Sequence, residues 1–344
     1  MKLTLSTTDL NHALRTVSRA VSNGKTHPIL AGVLIESHQL TAYDLELAIQ
    51  APITAAVETA GSCVAPYRLL ADIAGRLDSG SVITLELDGS RLAIATAGGS
   101  YSLSVEPAED YPTLPAIDAA TGASVDLSRA SAAVLAAVST DSAKQLLTGV
   151  HMAADGAALR LEATDGHRLA IRTMQCDAAA FDATIPARAI AQVRQPATFV
   201  FSTGQVAIAL EDGTRLISRT LDGSYPNAQA LIPATFKHSL TCNREALLSA
   251  IERVAVISGN GVIKLTTKGS SLQVTAESEA SSGVESIAVT GKLPPLAANA
   301  RYLADGLKGF ADQDVTIQAN ESTTPVVIQS DDAVYLVMPV QVRD

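Results

Sequence analysis

The string Thr164-Asp165-Gly166-His167-Arg168 puts a hydroxyl, a carboxylate, an imidazole and a guanidinium within five residues. A carboxylate beside an imidazole suits acid–base catalysis, in which the acid orients a histidine that moves a proton. The flanks, Leu159-Arg160-Leu161-Glu162-Ala163 and Leu169-Ala170-Ile171, alternate in polarity and read as two strands around a tight Asp-Gly turn. Residues i and i+2 of such a turn need not converge, and no nucleophile motif, phosphate loop or metal-type histidine pair accompanies them. A structural turn with a binding role is the favoured reading, and catalysis stays as the alternative. Cys63, Cys176 and Cys242 are odd in number and scattered, so they read as reduced thiols of a cytoplasmic protein, without disulfide framework or metal-ligand spacing. No metal and no cofactor is expected.

The second candidate site is the C-terminal run Val334-Tyr335-Leu336-Val337-Met338-Pro339-Val340-Gln341-Val342. Pro339 withholds a backbone donor, so this strand is expected on an edge, either packed into the last domain or open to a partner. A loop, Ser22 to Leu30, carries one cation, Lys25, at its tip.

The elements that must position these residues repeat three times. Pro66-Tyr67-Arg68-Leu69-Leu70-Ala71-Asp72, Pro186-Ala187-Arg188-Ala189-Ile190-Ala191-Gln192 and Asn299-Ala300-Arg301-Tyr302-Leu303-Ala304-Asp305 are one pattern. Leu3 to Ser6, Val125 to Ser128 and Leu240 to Asn243 form a second triplet, each a short strand ending in a helix-cap residue. The period is too long for a solenoid, so each copy is expected to be a domain: 1–121, 122–234 and 235–344. Buried stripes at helical spacing (Leu10, Leu14, Val17, Val21; Leu127, Val134, Leu135, Val138; Leu247, Ile251, Val254) alternate with strand-like segments such as Val82 to Leu87 and Phe199 to Ser202. The fold class is therefore α+β, three similar domains each with two helices packed on antiparallel sheet.

With 47% hydrophobic and 17% charged residues in 344, the chain is globular. Its N-terminal residues lack the apolar core of a secretory leader, and no apolar run is long enough for a membrane span. Aromatics at 3%, without Trp, leave little for stacking on single-stranded nucleic acid. The net charge of −10 argues against a nucleic-acid binder, but its distribution argues otherwise. Six helical segments with their exits (8–25, 67–78, 128–144, 186–195, 243–258, 299–309) hold 13 of the 25 Lys and Arg but only 7 of the 35 Asp and Glu. These cations are Arg15, Arg19 and Lys25; Arg68 and Arg76; Arg129 and Lys144; Arg188 and Arg194; Arg244 and Arg253; Arg301 and Lys308. Exposed helices favour Arg and Lys in any protein, yet solvated faces normally mix both signs.

Together these features resemble the bacterial DNA polymerase III β subunit family, the sliding clamps, over the whole chain. The resemblance rests on Lys25-Thr26-His27-Pro28-Ile29-Leu30, Leu40-Thr41-Ala42-Tyr43-Asp44-Leu45-Glu46 and Ala163 to Ala170. Asp222-Gly223-Ser224-Tyr225-Pro226 and Tyr335-Leu336-Val337-Met338-Pro339 complete it. It implies a non-enzymatic processivity factor, a head-to-tail homodimer in which each chain is half of a ring around double-stranded DNA, with the basic helices lining the hole. It also implies a cleft between domains 2 and 3 for short apolar peptides of the DNA polymerase III catalytic subunit, the clamp loader, and other polymerases and repair proteins. The matching cleft positions are Leu147, Thr164, Gly166, His167, Arg168 and Leu169, then Pro226, Leu231 and Pro325, then Val337, Met338, Pro339 and Val340, with Thr, His and Arg as polar rim. Lys25 and Lys144 match basic positions that contact DNA. For the ring joint, Ile73, Tyr101 and Leu103 of domain 1 would meet Val256 and Ile257 of domain 3. Gln145-Leu146 stands where some members carry an aromatic pair, and Ala230 where a basic residue would be.

Overall fold

A strand, a helix and three further strands form one unit that the chain builds six times, in a computed structural model describing residues 1–117, 121–127 and 131–341. The first copy is β1 (Lys2–Ser6), α1 (Thr7–Val17), β2 (Gly32–Glu36), β3 (Gln39–Tyr43) and β4 (Leu47–Pro52), prolonged by β5 (Ala55–Thr59). The second is β6 (Cys63–Pro66), α2 (Tyr67–Ala74), β7 (Val82–Asp88), β8 (Arg91–Thr96) and β9 (Gly99–Ser104). The third is β10 (Thr121–Val125), α3 (Ser131–Ala136), β11 (Gly149–Ala154), β12 (Ala158–Thr164) and β13 (Arg168–Gln175). The fourth is β14 (Phe181–Pro186), α4 (Ala187–Ile190), β15 (Ala197–Ser202), β16 (Gln205–Leu210) and β17 (Arg215–Arg219). The fifth is β18 (His238–Asn243), α5 (Arg244–Ala255), β19 (Val262–Lys268), β20 (Ser271–Glu277) and β21 (Ser282–Gly291). The sixth is β22 (Leu296–Asn299), α6 (Ala300–Lys308), β23 (Asp314–Ala319), β24 (Val326–Gln329) and β25 (Ala333–Val337). Each sequence repeat is thus two structural units in tandem.

The helix starts follow from their caps. Ser6 Oγ accepts the Asp9 amide at 3.0 Å, Asn243 Oδ1 that of Ala246 at 3.0 Å, and Asn299 Oδ1 that of Tyr302 at 3.2 Å. Pro66 and Pro186 hold the same position before α2 and α4. Ser128, the expected cap of the third repeat, and Arg129 lie outside the described residues. The helix expected over 186–195 is one turn, α4, after which the Gln192 and Val193 amides close tighter turns onto the Ala189 and Ile190 carbonyls at 3.1 and 2.9 Å.

Packing groups residues 1–122 with 195–219, and residues 123–194 with 220–344. Strand pairing is the cause. β17 joins β4 (Ile217 opposite Ala48), which carries half of the central repeat into the first body, while β13 joins β25 (Leu169 opposite Leu336) in the second. Each seam pairs backbone groups that would otherwise form an open sheet edge. In the first body α1 lies on β3 and β4 with Leu10, Leu14 and Val17 buried, and a core cluster gathers Leu30, Tyr43, Val64, Tyr111 and Ile217. In the second, α3 covers β12 and β13, α6 covers β25, and α5 covers β20 and β21 with Leu247, Ile251 and Val254 inside. Among the described residues no helix is long and apolar enough to cross a membrane. All three cysteines are buried, and burial pushes the Cys63 thiol to about 11 and that of Cys242 to about 12, which keeps both protonated and inert.

The C-terminal strand departs from expectation. β25 lies between β13 and β24 and is no edge. Pro339 falls two residues past the ladder, so its missing amide costs the sheet nothing, and the Val340 amide donates to the Ala297 carbonyl at 2.8 Å.

Candidate functional site

The Thr164–Arg168 turn is a closed set of hydrogen bonds. Asp165 Oδ1 accepts the amides of His167 and Arg168 at 2.9 and 3.1 Å, while Oδ2 accepts Arg168 Nε at 3.0 Å. Thr164 Oγ1 donates to the Arg168 carbonyl at 2.6 Å and accepts the Gly166 amide at 3.1 Å. Gly166 supplies a φ of +94°, which side-chain-bearing residues rarely adopt. The Asp165 carboxylate is engaged by the turn and by Arg168, and the His167 ring instead lies 6.5 Å from that of Tyr302. The carboxylate–imidazole couple that catalysis requires is therefore not formed.

Strand alternation then sorts the turn and the C-terminal strand onto two faces. On one face Arg168 and Tyr335 turn toward α6. Arg168 is 7% exposed, with Nη1 2.7 Å from Asp305 Oδ2 and 3.5 Å from the Tyr335 hydroxyl, and its guanidinium stands 4.2 Å from the centre of the Tyr302 ring. α6 comes close enough here that any β-carbon on Gly306 would collide with the Tyr335 ring. Burial pushes the Tyr335 hydroxyl up to about 12, against the pull of Arg168. Arg168, assigned by the resemblance to a polar rim, is thus a buried tie between sheet and helix. Its strand position aims it at α6, and Thr164 beside it is buried as well. His167 remains the exposed polar group of the three.

On the other face Leu169, Ile171, Leu336, Val327 and Ala228 form a buried cluster, with Ile232, Phe236, Val334 and Met338 partly buried against it. The Met338 amide donates to the His167 carbonyl at 2.8 Å, which locks the turn to the C-terminal strand. Leu169 is 1% exposed, so it forms the floor. Met338, Pro339 and Pro325 are half-buried, Leu147 likewise, while Pro226, Leu231 (55% exposed) and Val340 reach solvent. Val337 is buried, opposite Arg168 in the ladder. Ala228, Ile232, Phe236, Val327 and Leu336 were absent from the expected set. Leu336 stands in the apolar C-terminal run already singled out in the sequence, but its pairing with Leu169 comes from the fold; Phe236 lies in a connection without periodicity and had no signal. Leu146 packs against Gly223, and Lys144 Nζ donates to the Asp165 carbonyl at 3.4 Å, so both side chains brace loops around the turn.

Ten of the thirteen helical cations fall into two groups of five. Arg15, Arg19, Lys25, Arg68 and Arg194 are exposed and form no ion pair among the described residues. Others are held: Arg253 by both oxygens of Glu285 at 2.7 and 3.0 Å, Lys308 by Glu252 at 2.8 Å, Arg244 by Glu245 at 3.2 Å, Arg76 by Asp72 at 3.4 Å and Arg301 by Asp305 at 3.7 Å. Arg188 is half-buried on α4. Of the joint residues, Tyr101 is exposed on the edge strand β9 and Val256, just past α5, is 86% exposed. Ile73 is half-buried, and Ile257 is partly used against Gly283. Leu103 is buried within its own sheet opposite Leu92, so it belongs to the core of the chain and offers no open contact surface.

Three family models match in succession: DNA polymerase III beta subunit, N-terminal domain, at residues 1–115; central domain, at 123–227; and C-terminal domain, at 229–341. A beta sliding clamp from Synechococcus elongatus is 36% identical, with all of both chains covered, and one from Synechocystis is 34% identical over 99% of each. The crystal structure of a DNA polymerase sliding clamp from Bacillus subtilis superposes with a TM-score of 0.92 at 25% identity, covering all of both chains.

Proposed function

The chain belongs to the DNA polymerase III beta subunit family, the sliding clamps, and on that premise we propose that two copies close head to tail around duplex DNA and tether partner proteins through the Leu169–Leu336 pocket. The reading divides the chain into domains near 121 and 234. The observation that carries it is the sorting of residues around the helices and the sheet: the cations Arg15, Arg19, Lys25, Arg68 and Arg194, unpaired among the described residues, lie on or just after α1, α2 and α4, while the face of β13 and β25 turned away from α6 carries the apolar cluster of Leu169, Val327 and Leu336 with half-buried Met338 against it. Arginines at helix surfaces meet phosphates without reading base edges, so contact with DNA is loose and independent of sequence. Retention is then topological, and the ring slides.

The pocket suits a short apolar segment. Leu169, Val327 and Leu336 supply a fixed floor, Met338 adapts its shape with three rotatable bonds, and Leu231 adds apolar area at the mouth. Such a site fits successive partners: the DNA polymerase III catalytic subunit, the clamp loader, and other polymerases and repair proteins. The role is non-catalytic. The ring joint uses Tyr101 and Val256, with Ile73 and Ile257 beside them. The test is retention on circular duplex DNA after loading. A clamp stays on the closed circle and is lost within minutes of linearisation; equal release from circular and linear DNA would overturn the reading.

A further inference from the structure

Glu162 is a carboxylate in an unexpected place. It sits on β12 opposite His151 of β11 and Ile171 of β13, hence on the pocket face of the sheet, and it is 3% exposed. Its Oε2 accepts Gln229 Nε2 at 3.1 Å and lies 3.6 Å from Arg160 Nε, while its Oε1 is buried without a hydrogen-bond partner. Beside it, buried His151 stacks on Tyr225, ring centres 4.8 Å apart and planes 6° from parallel. The Tyr225 hydroxyl accepts the Thr164 amide at 3.1 Å. The segment running from Tyr225 to Gln229 is therefore gripped at both ends by the polar half of this face. Between and just beyond those grips it delivers Ala228 into the apolar cluster, sets Ile232 against it and leaves Leu231 exposed.

We propose that Glu162 is a positioning residue: by holding Gln229 it fixes the 225–232 segment as a wall of the apolar pocket and so sets the affinity for a partner's apolar peptide. The inference rests on the pocket being a peptide site. A buried carboxylate with one bare oxygen lowers stability relative to an apolar side chain of similar volume, so its contribution is one of geometry. Gln229 lies inside the short helical turn Ala228–Leu231, so its side-chain anchor sets the position of the residues on either side.

The experiment uses the full chain with Glu162→Leu, Glu162→Gln, Gln229→Leu and the Glu162→Leu/Gln229→Leu double variant. The probe is a fluorescein-labelled, N-acetylated pentapeptide containing two leucines and a phenylalanine, read by fluorescence polarisation. Glu162→Leu and Gln229→Leu should each weaken binding about tenfold, and the double variant no further, because the same charge-assisted bond is missing from all three. Glu162→Gln keeps an acceptor oxygen for Gln229 and should stay within about threefold of the wild type. The urea midpoint of Glu162→Leu should be unchanged or raised, which a purely structural role would not allow, and amide exchange over 226–232 should accelerate. Wild-type affinity in Glu162→Leu, or losses that add in the double variant, would overturn the proposal. If the wild type does not bind the probe, the peptide-site reading fails; the exchange measurement still decides the grip, and unchanged exchange in Glu162→Leu refutes it.

Discussion

Replacing Arg168 with alanine separates a partner-facing arginine from one that ties sheet to helix. The side chain is buried between Asp165, 13% exposed, and Asp305, 22% exposed, with Tyr302 under its guanidinium. Removing one member of a buried ion pair costs about 3–5 kcal/mol, because the remaining charge stays buried without compensation. Two features moderate this. Asp165 retains two backbone amides, and Asp305 retains Arg301 at 3.7 Å, so the lower part of that range applies. Removal of the cation–π interaction adds about 1 kcal/mol. Arg168→Ala should therefore lose about 3–4 kcal/mol in urea unfolding, with faster amide exchange along α6. Arg168→Lys keeps the charge without the planar fork and should recover only part of the loss. A stability change below about 1 kcal/mol in Arg168→Ala, with α6 exchange unaltered, would refute the reasoning and return Arg168 to the rim.

Met338→Ala with Leu231→Ser should reduce peptide affinity about tenfold while leaving the urea midpoint nearly unchanged; Leu169→Ala is the wrong probe, since emptying that floor position costs about 2–5 kcal/mol of stability. Charge removal at Arg15, Arg19 and Arg68 should flatten the salt dependence of DNA retention by about one unit of slope for each phosphate no longer neutralised, whereas Arg253→Ala should change it less, because Glu285 already holds that cation; equal effects would count against the distinction. Burial lowers the His151 pKa from 6.5, against the opposing pull of Asp182 and Glu162 and with Arg160 nearby. The unfolded chain then binds more protons below about 6.5, so stability is full above that pH and falls as pH drops toward the folded value; urea titrations of the wild type and His151→Gln at pH 7.5 and 5.5 should show the loss only in the wild type. Tyr101→Arg with Val256→Arg should yield monomers in sedimentation with unchanged circular dichroism, and an intact dimer would refute the joint.

Much of the architecture was legible because it is locally encoded. Ser6, Asn243 and Asn299 cap their helices because a side-chain oxygen three residues ahead meets an orphan amide, and the stripe Leu10, Leu14, Val17 is buried because helical spacing leaves it one face. The Asp-Gly turn and its two strands are likewise present as read. The sixfold nature of the repeat was hidden, since α4 is a single turn, too short to show a helical period.

The residue types at the pocket, the cationic helices and family membership are properties of the sequence by itself, because caps, periodicity and composition act over a few residues. Tertiary structure alone decided which face each residue serves. Leu169 became pocket floor and Arg168 a helix tie only when β13 paired with β25 and α6 settled on one side of the seam. Leu103 entered the core because its own sheet closed over it, and Arg253 was neutralised by Glu285, 32 residues away. Alternation along a strand specifies two faces but does not name them. What packs on each comes from distant parts of the chain, and that long-range pairing is what no local pattern records.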